Sequence, residues 1–178
     1  MSDLISVADL GSNTFRMVTA REEGQGAIRL VDLRQKVVRL AEGVARSGEV
    51  SVKALRRAKE CFGEFERALA TLGEARRFCV LTAVGRMANN AGEVERLARE
   101  ILGAQTLIPT GREEARLSYE GAVSLLSAKK ENLLFLDIGG GSTEIVFSNG
   151  GEVIWEESVA AGIVTFWEQD RLGEKGKK

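Results

Sequence analysis

Two stretches of the chain place the same residue types in the same order. Asp9-Leu10-Gly11-Ser12-Asn13 and Asp137-Ile138-Gly139-Gly140-Gly141-Ser142-Thr143-Glu144 each follow one apolar run and lead into another. Glycine lets the backbone reach positive φ and lets a ligand approach without a Cβ in the way. Successive exposed N–H groups can then converge on one anion. The side chains of Ser12, Asn13, Ser142 and Thr143 add donors, and phosphate suits such a nest. Asp9, Asp137 and Glu144 would repel it. A Mg²⁺ ion held partly by carboxylates and partly by phosphate oxygens removes that conflict. A lone Asp-x-Gly between strands is usually a tight turn. Two copies, one with three glycines where a turn uses one or two, point beyond a turn.

The chemistry is bounded by an absence: the 178 residues include no histidine. That excludes Ser-His-Asp triads, Cys-His dyads, phosphohistidine intermediates and His-ligated metals. Catalysis would rest on carboxylates, Lys or Arg, hydroxyls, backbone amides and a hard cation. A second stretch, "IPTGREEARLSYEG", offers such groups. Thr110 and Glu113 have the spacing of a capping box, which is structural. Glu114 is not needed for that box and is available for chemistry. Arg112 and Arg116 could pair with nearby acids or with a ligand. In "LTAVGRMANN", Arg86 follows a strand; it is either a surface arginine or a ligand contact of the kind such loops carry.

The elements that must position these groups follow from periodicity. "ISVADL", "TFRMVTA" and "AIRLVDL" read as strands, and "KVVRLAEG" as a possible fourth. Ser51 caps a long helix whose inward stripe is Val52, Leu55, Ala58, Cys61, Phe62, Phe65, Leu69 and Leu72, ending near Gly73. "RFCVLT" is a strand. "AGEVERLAREILG" is a helix with Val94, Leu97, Ile101 and Leu102 inward. "QTLIP" is a short strand and "GREEARLSYEGAVSLL" a helix. Strands "NLLFLDI", "TEIVFSN" and "EVIWEES" follow, with a type I′ hairpin at Asn149-Gly150. "GIVTFWEQD" starts a last helix, and "RLGEKGKK" reads as a solvated end. This order means an α/β protein. The repeated plan of strand, Asp-x-Gly turn, strand predicts two related lobes with a ligand cleft between them.

Composition adds little more. Hydrophobic residues make up 44% and charged residues 29%, enough for one ordinary domain or two small lobes. The net charge of −1 gives no general pull toward DNA or an anionic membrane. No run approaches the ~18 apolar residues of a membrane span. "MSDLISVADLGSN" lacks the pattern of a secretory signal. Cys61 and Cys79 read as small core residues. A cytoplasmic protein is expected.

At its glycine turns and charged helix the sequence resembles the exopolyphosphatase and guanosine-pentaphosphate phosphatase family. "ADLGSNTFRMV", "TGREEARLSYEGAV", "LDIGGGSTEIVFSNG" and "SVAAGIVTFWE" are similar to its signatures, in the same order. The resemblance implies the actin-like ATPase fold with two ribonuclease-H-like lobes, and removal of terminal phosphates from polyphosphate or hydrolysis of pppGpp, with Mg²⁺. It places the catalytic glutamate at Glu114 and the phosphate-gripping arginine at Arg86. Asp9, Asp137 and Glu144 become metal-positioning acids. Gly139, Gly140, Gly141, Ser142 and Thr143 become the phosphate loop, with Ser12 and Asn13 its first-lobe counterpart. The Arg86 loop departs from the family: Gly85 replaces a bulkier residue, and no acid follows the arginine.

Family members continue past this point. The expectation is therefore a complete first lobe over 1–126 and a truncated second lobe over 127–178, from a fragment or a natural short form. Such a second lobe would leave apolar strand faces uncovered; a homodimer is one way to cover them. Two alternatives to hydrolysis stay open. One is a module that binds guanosine tetra- or pentaphosphate, or polyphosphate, without turnover. The other is an actin-like ATP-dependent phosphotransferase.

Overall fold

The computed structural model describes residues 4–24, 27–124, 126 and 132–168. The chain forms two compact units, residues 1–108 and 109–178. The unit boundary lies earlier than the lobe boundary expected at 126/127, because the helix after Pro109 packs on the second sheet. The end stretch "RLGEKGKK" lies outside the described residues.

The first unit is a five-stranded sheet with helices. β1 (Leu4–Leu10) and β2 (Thr14–Glu22) form a hairpin, extended by β3 (Ile28–Val37). After α1 (Val44–Ser47) and α2 (Val52–Ala70), β4 (Arg76–Leu81) returns parallel to β1. After α3 (Ala83–Met87) and α4 (Ala91–Leu102), β5 (Gln105–Leu107) joins parallel to β4. The strand order is β3-β2-β1-β4-β5. Burial alternates with period two: Leu4, Ala8 and Leu10 of β1 are buried, as are Phe15 and Met17 of β2. Phe15 stacks on Phe62 of α2, with ring centroids 5.5 Å apart. Cys61 and Cys79 are free and buried, and burial pushes both thiols up to about 12. They are core residues, as their isolated spacing suggests.

Ser51 caps α2 by accepting the Ala54 N–H at 3.2 Å. The buried stripe of α2 starts at Ala54; Val52 is 84% exposed, because the first residue of the helix precedes the stripe. "KVVRLAEG" is no separate strand. Its start completes β3, and Val38, Leu40 and Ala41 are then buried in a non-strand segment whose amides bond to the β1–β2 turn.

The second unit has α5 (Gly111–Ser124) and an antiparallel sheet of β6 (Leu133–Ile138), β7 (Thr143–Asn149) and β8 (Glu152–Val159), in that order. Ala115 and Tyr119 of α5 pack on Val146, with Phe135 and Val153 alongside. On the other face of this sheet Leu134, Leu136, Phe147 and Trp155 are exposed. The β7–β8 turn is centred on Gly150 and Gly151, both at positive φ (62° and 91°). That is the expected type I′ signature, one residue later than read from Asn149-Gly150, because two glycines meet the requirement at least cost. A last helical segment covers 163–168.

Candidate functional site

The two hairpin turns have equal length. Leu10 pairs with Phe15 and Ile138 with Thr143, so each turn holds four residues. Gly11 and Gly139 play one role. A Cβ on Gly11 would lie 2.8 Å from the Thr14 carbonyl oxygen, and one on Gly139 would lie 3.1 Å from that of Ser142. Neither glycine takes positive φ, and nor do Gly140 and Gly141. Gly11 and Gly139 are bare to give room to a carbonyl rather than to allow a left-handed backbone.

Each turn is also held from behind. The Ser12 carbonyl accepts from the Ala41 N–H at 2.9 Å, and the Asn13 carbonyl from those of Val38 (2.9 Å) and Arg39 (2.8 Å). Arg57 of α2 secures this segment, donating to the carbonyls of Val38 (2.5 Å) and Arg39 (2.8 Å) and to Glu42 (2.8 Å). In the second unit the Gly139 carbonyl accepts from the Ile163 N–H at 3.0 Å. The Gly140 carbonyl accepts from those of Val164 (2.9 Å) and Thr165 (3.3 Å). A trans peptide points its C=O and its N–H in opposite directions. The N–H groups of Gly140 and Gly141 are therefore turned away from the 163–165 segment.

In the first unit, the Ser12-Asn13 turn follows β1 and the Arg86 segment follows β4. The two strands are parallel neighbours with Leu10 beside Leu81, so Asp9, Ser12, Asn13 and Arg86 gather at their carboxyl ends. That is where open α/β sheets bind ligands. Ser12 is buried, while Asp9 and Arg86 are exposed. The Asn13 amide donates to the Thr14 hydroxyl at 3.4 Å. Gly85 has a packing reason: a Cβ there would lie 2.9 Å from both Leu81 and Ile108 side chains.

In the second unit, Asp137 and Glu144 are direct cross-strand neighbours flanking the glycine turn. Asp137 is exposed; Glu144 is 2% exposed and accepts a hydrogen bond from the Ser158 hydroxyl at 2.8 Å. Ser142 is buried. Thr143 gives its hydroxyl proton to the Ala161 carbonyl at 2.5 Å. The Thr110–Glu113 capping box forms as its spacing predicts. Glu113 accepts from the Thr110 N–H and hydroxyl, each at 2.8 Å, and its own N–H donates to that hydroxyl at 3.3 Å. These bonds, the backbone one first, hold the Glu113 carboxyl below its ordinary range. Glu114 is half-buried, on the flank of the Gly111-Ala115-Tyr119 stripe that faces the sheet. Gly111 abuts Ser158: a Cβ on Gly111 would lie 2.7 Å from that of Ser158. Arg116 is engaged by Glu156 at 2.9 and 3.1 Å, so of the two pairings open to it the acid is the one formed.

Among the described residues no three His, Cys, Asp or Glu side chains converge to hold a metal ion. Sequence reasoning had not singled out Arg57, Ser158, Gly162 or Thr165. The last three fall in "SVAAGIVTFWE", a stretch similar to a family signature whose individual residues carry no local signal beyond the glycine.

Sheet order, parallel crossover and a repeated hairpin define the class: ribonuclease-H-like units of the actin-like ATPase fold. The Ppx/GppA phosphatase family matches residues 18–173, and the chain belongs to that family. An exopolyphosphatase from Cytophaga hutchinsonii is similar in structure, with a TM-score of 0.85 at 22% identity over 93% of this chain and 53% of that one. An exopolyphosphatase-like protein gives 0.84 at 30% identity, over 94% and 54%. MreB5 of Spiroplasma citri, bound to ADP, shares the fold at a TM-score of 0.50 and 15% identity, over 99% and 57%. The chain spans about half the length of the two exopolyphosphatase-related chains. Among the described residues no helix is long and apolar enough to cross a membrane.

Proposed function

We propose that the protein takes part in hydrolysing terminal phosphoanhydride bonds, in inorganic polyphosphate or in pppGpp. The observation that carries this reading is the glycine turn, with the carbonyls of Gly139 and Gly140 tied back and the next two amides turned the other way. Two adjacent bare amides suit a phosphoryl oxygen. Glu114, one position past the cap, takes a proton from water. The water oxygen bonds to the terminal phosphorus, the bridging P–O bond breaks, and phosphate leaves from a chain shortened by one. A general base of this kind is worth roughly 10²–10⁴-fold. Arg86 grips phosphoryl oxygens with its planar fork, and the turn amides stabilise their charge.

The residues present fit Mg²⁺ shared with substrate. Such an ion is usually held by one or two carboxylates plus phosphate oxygens. Asp137 and Glu144, cross-strand neighbours beside the glycine turn, would hold it in the second unit. When bound, it would neutralise charge on the phosphoryl oxygens.

Glu114→Gln tests the reading. An amide keeps the shape and cannot take the proton, so phosphate release from tripolyphosphate or pppGpp should fall at least about a hundredfold with binding retained. Glu113→Gln should keep most activity, since Gln also completes a capping box. Equal loss from both would refute the assigned roles.

A further inference from the structure

The helical segment 163–168 starts without an ordinary cap. The first amides of a helix need acceptors, usually supplied by a Ser, Thr, Asp or Asn side chain at the cap. Gly162 sits at that place and has no side chain. A Cβ on it would collide with the Gly140 carbonyl carbon, and would lie 2.5 Å from both the Gly140 oxygen and the Gly141 nitrogen. Both are backbone atoms of the turn. The acceptors are instead the turn's own carbonyls, Gly139 for Ile163 and Gly140 for Val164 and Thr165.

Thr165 closes the arrangement. Its side chain is 3% exposed. The hydroxyl accepts the Gly162 N–H at 2.8 Å, as the third residue of a capping box does. Its proton lies between the carbonyls of Gly162 (3.0 Å) and Gly141 (3.5 Å). One hydroxyl thus links the start of this helix to the last glycine of the turn.

We propose that Gly162 and Thr165 are positioning residues that orient the amides of Gly140 and Gly141 for an anion. The inference rests on the reading of the glycine turn as a phosphate nest. Gly162 lets the helix start lie flat on the turn. Thr165 fixes that start by satisfying Gly162, and the helix amides then hold the two carbonyls. Gly162 has no side chain to offer an anion, and the Thr165 hydroxyl is committed to backbone groups. Loss of either leaves the nest's atoms present but unaligned.

The test uses the whole chain, ¹⁵N-labelled, titrated with tripolyphosphate and Mg²⁺ while the Gly140 and Gly141 amide resonances are followed. In the wild type both resonances should move and saturate. Thr165→Val keeps the shape and removes the hydroxyl; it should shift both resonances before any ligand is added and bind roughly tenfold more weakly. Thr165→Ser should restore both. Gly162→Ala should weaken the response further, since its Cβ must displace the turn. If Gly162→Ala does not fold, the Thr165 pair decides alone. Wild-type affinity and unshifted Gly140 and Gly141 resonances in Thr165→Val would overturn the proposal, as would equal loss in Thr165→Ser. If the wild-type resonances themselves ignore tripolyphosphate, the phosphate-nest reading fails first, and that result is distinct from a nest that binds without needing Thr165.

Discussion

Gly111→Ala probes the joint between the helix carrying Glu114 and the sheet carrying Glu144. The new methyl would sit 2.7 Å from the Ser158 Cβ and 3.2 Å from its hydroxyl oxygen. Carbon atoms rest at about 3.5–4.0 Å, so α5 or β8 must yield by roughly 1 Å. The obstructing atom is a Cβ fixed to the strand, and Ser158 is further held by its bond to Glu144. Forced insertion of a methyl into a packed contact costs about 1–3 kcal/mol. The better helix propensity of Ala returns less than about 1 kcal/mol at this first helical position. The expected net loss is about 1–2 kcal/mol, read by urea unfolding. Specificity comes from a double-mutant cycle. Ser158→Gly removes the atom in the way, so in that background Gly111→Ala should cost almost nothing, a coupling of about 1–2 kcal/mol. Additivity within about 0.5 kcal/mol would refute the contact and, with it, the argument that α5 is seated on β8 through this pair.

Two further outcomes are expected. Arg86→Ala should weaken tripolyphosphate binding in a calorimetric titration, and Arg86→Lys should restore it only in part, because a point charge lacks the fork; wild-type affinity in Arg86→Ala would show that this arginine is not used. The Glu113 carboxyl has a depressed folded pKa, so its contribution to stability is present above its ordinary value of 4.5 and is lost as pH falls through the lower folded value; the stability advantage of wild type over Glu113→Gln should shrink below about pH 4.5, and a pH-independent difference would refute the assignment.

The sequence was most legible where one side chain states one local rule. Thr110 and Glu113 announce a capping box, Ser51 a helix start, and "ISVADL" a strand. The hairpin repeat was legible because asparagine, serine and glycine are poor choices except at a turn. What holds those turns was not. Backbone amides of 38–41 and 163–165 carry the bonds, and backbone leaves no trace in composition. The stretch "KVVRLAEG" therefore read as a strand of its own, although the amides of Val38, Arg39 and Ala41 serve Ser12 and Asn13. Arg57 carries no local signal in the sequence, because its three acceptors lie 15 to 19 residues away along the chain. Val52 followed the helical period but lies ahead of the buried face. The period gives the angle around a helix and says nothing of where the sheet beneath begins.

The repeat also shows how one hairpin can be given two uses. Matching the turns residue by residue sets Asp9 against Asp137, Gly11 against Gly139 and Arg16 against Glu144. In the first copy the acid before the turn stands opposite Arg16 across the hairpin; in the second it stands opposite Glu144. Like charges directly opposite each other in a sheet are destabilising, and Glu144 is buried as well. Ser158 offsets part of that cost with one hydrogen bond. The remaining repulsion is what a divalent cation shared with a phosphoryl group would relieve, and the first copy, with its arginine, has no such need. On this argument the metal proposed above belongs with the second turn rather than the first. Mg²⁺ and tripolyphosphate together should then raise the melting temperature by more than the sum of their separate effects, and Glu144→Gln should abolish that synergy while Asp9→Asn largely keeps it. Equal loss of synergy from both substitutions would refute this division of labour.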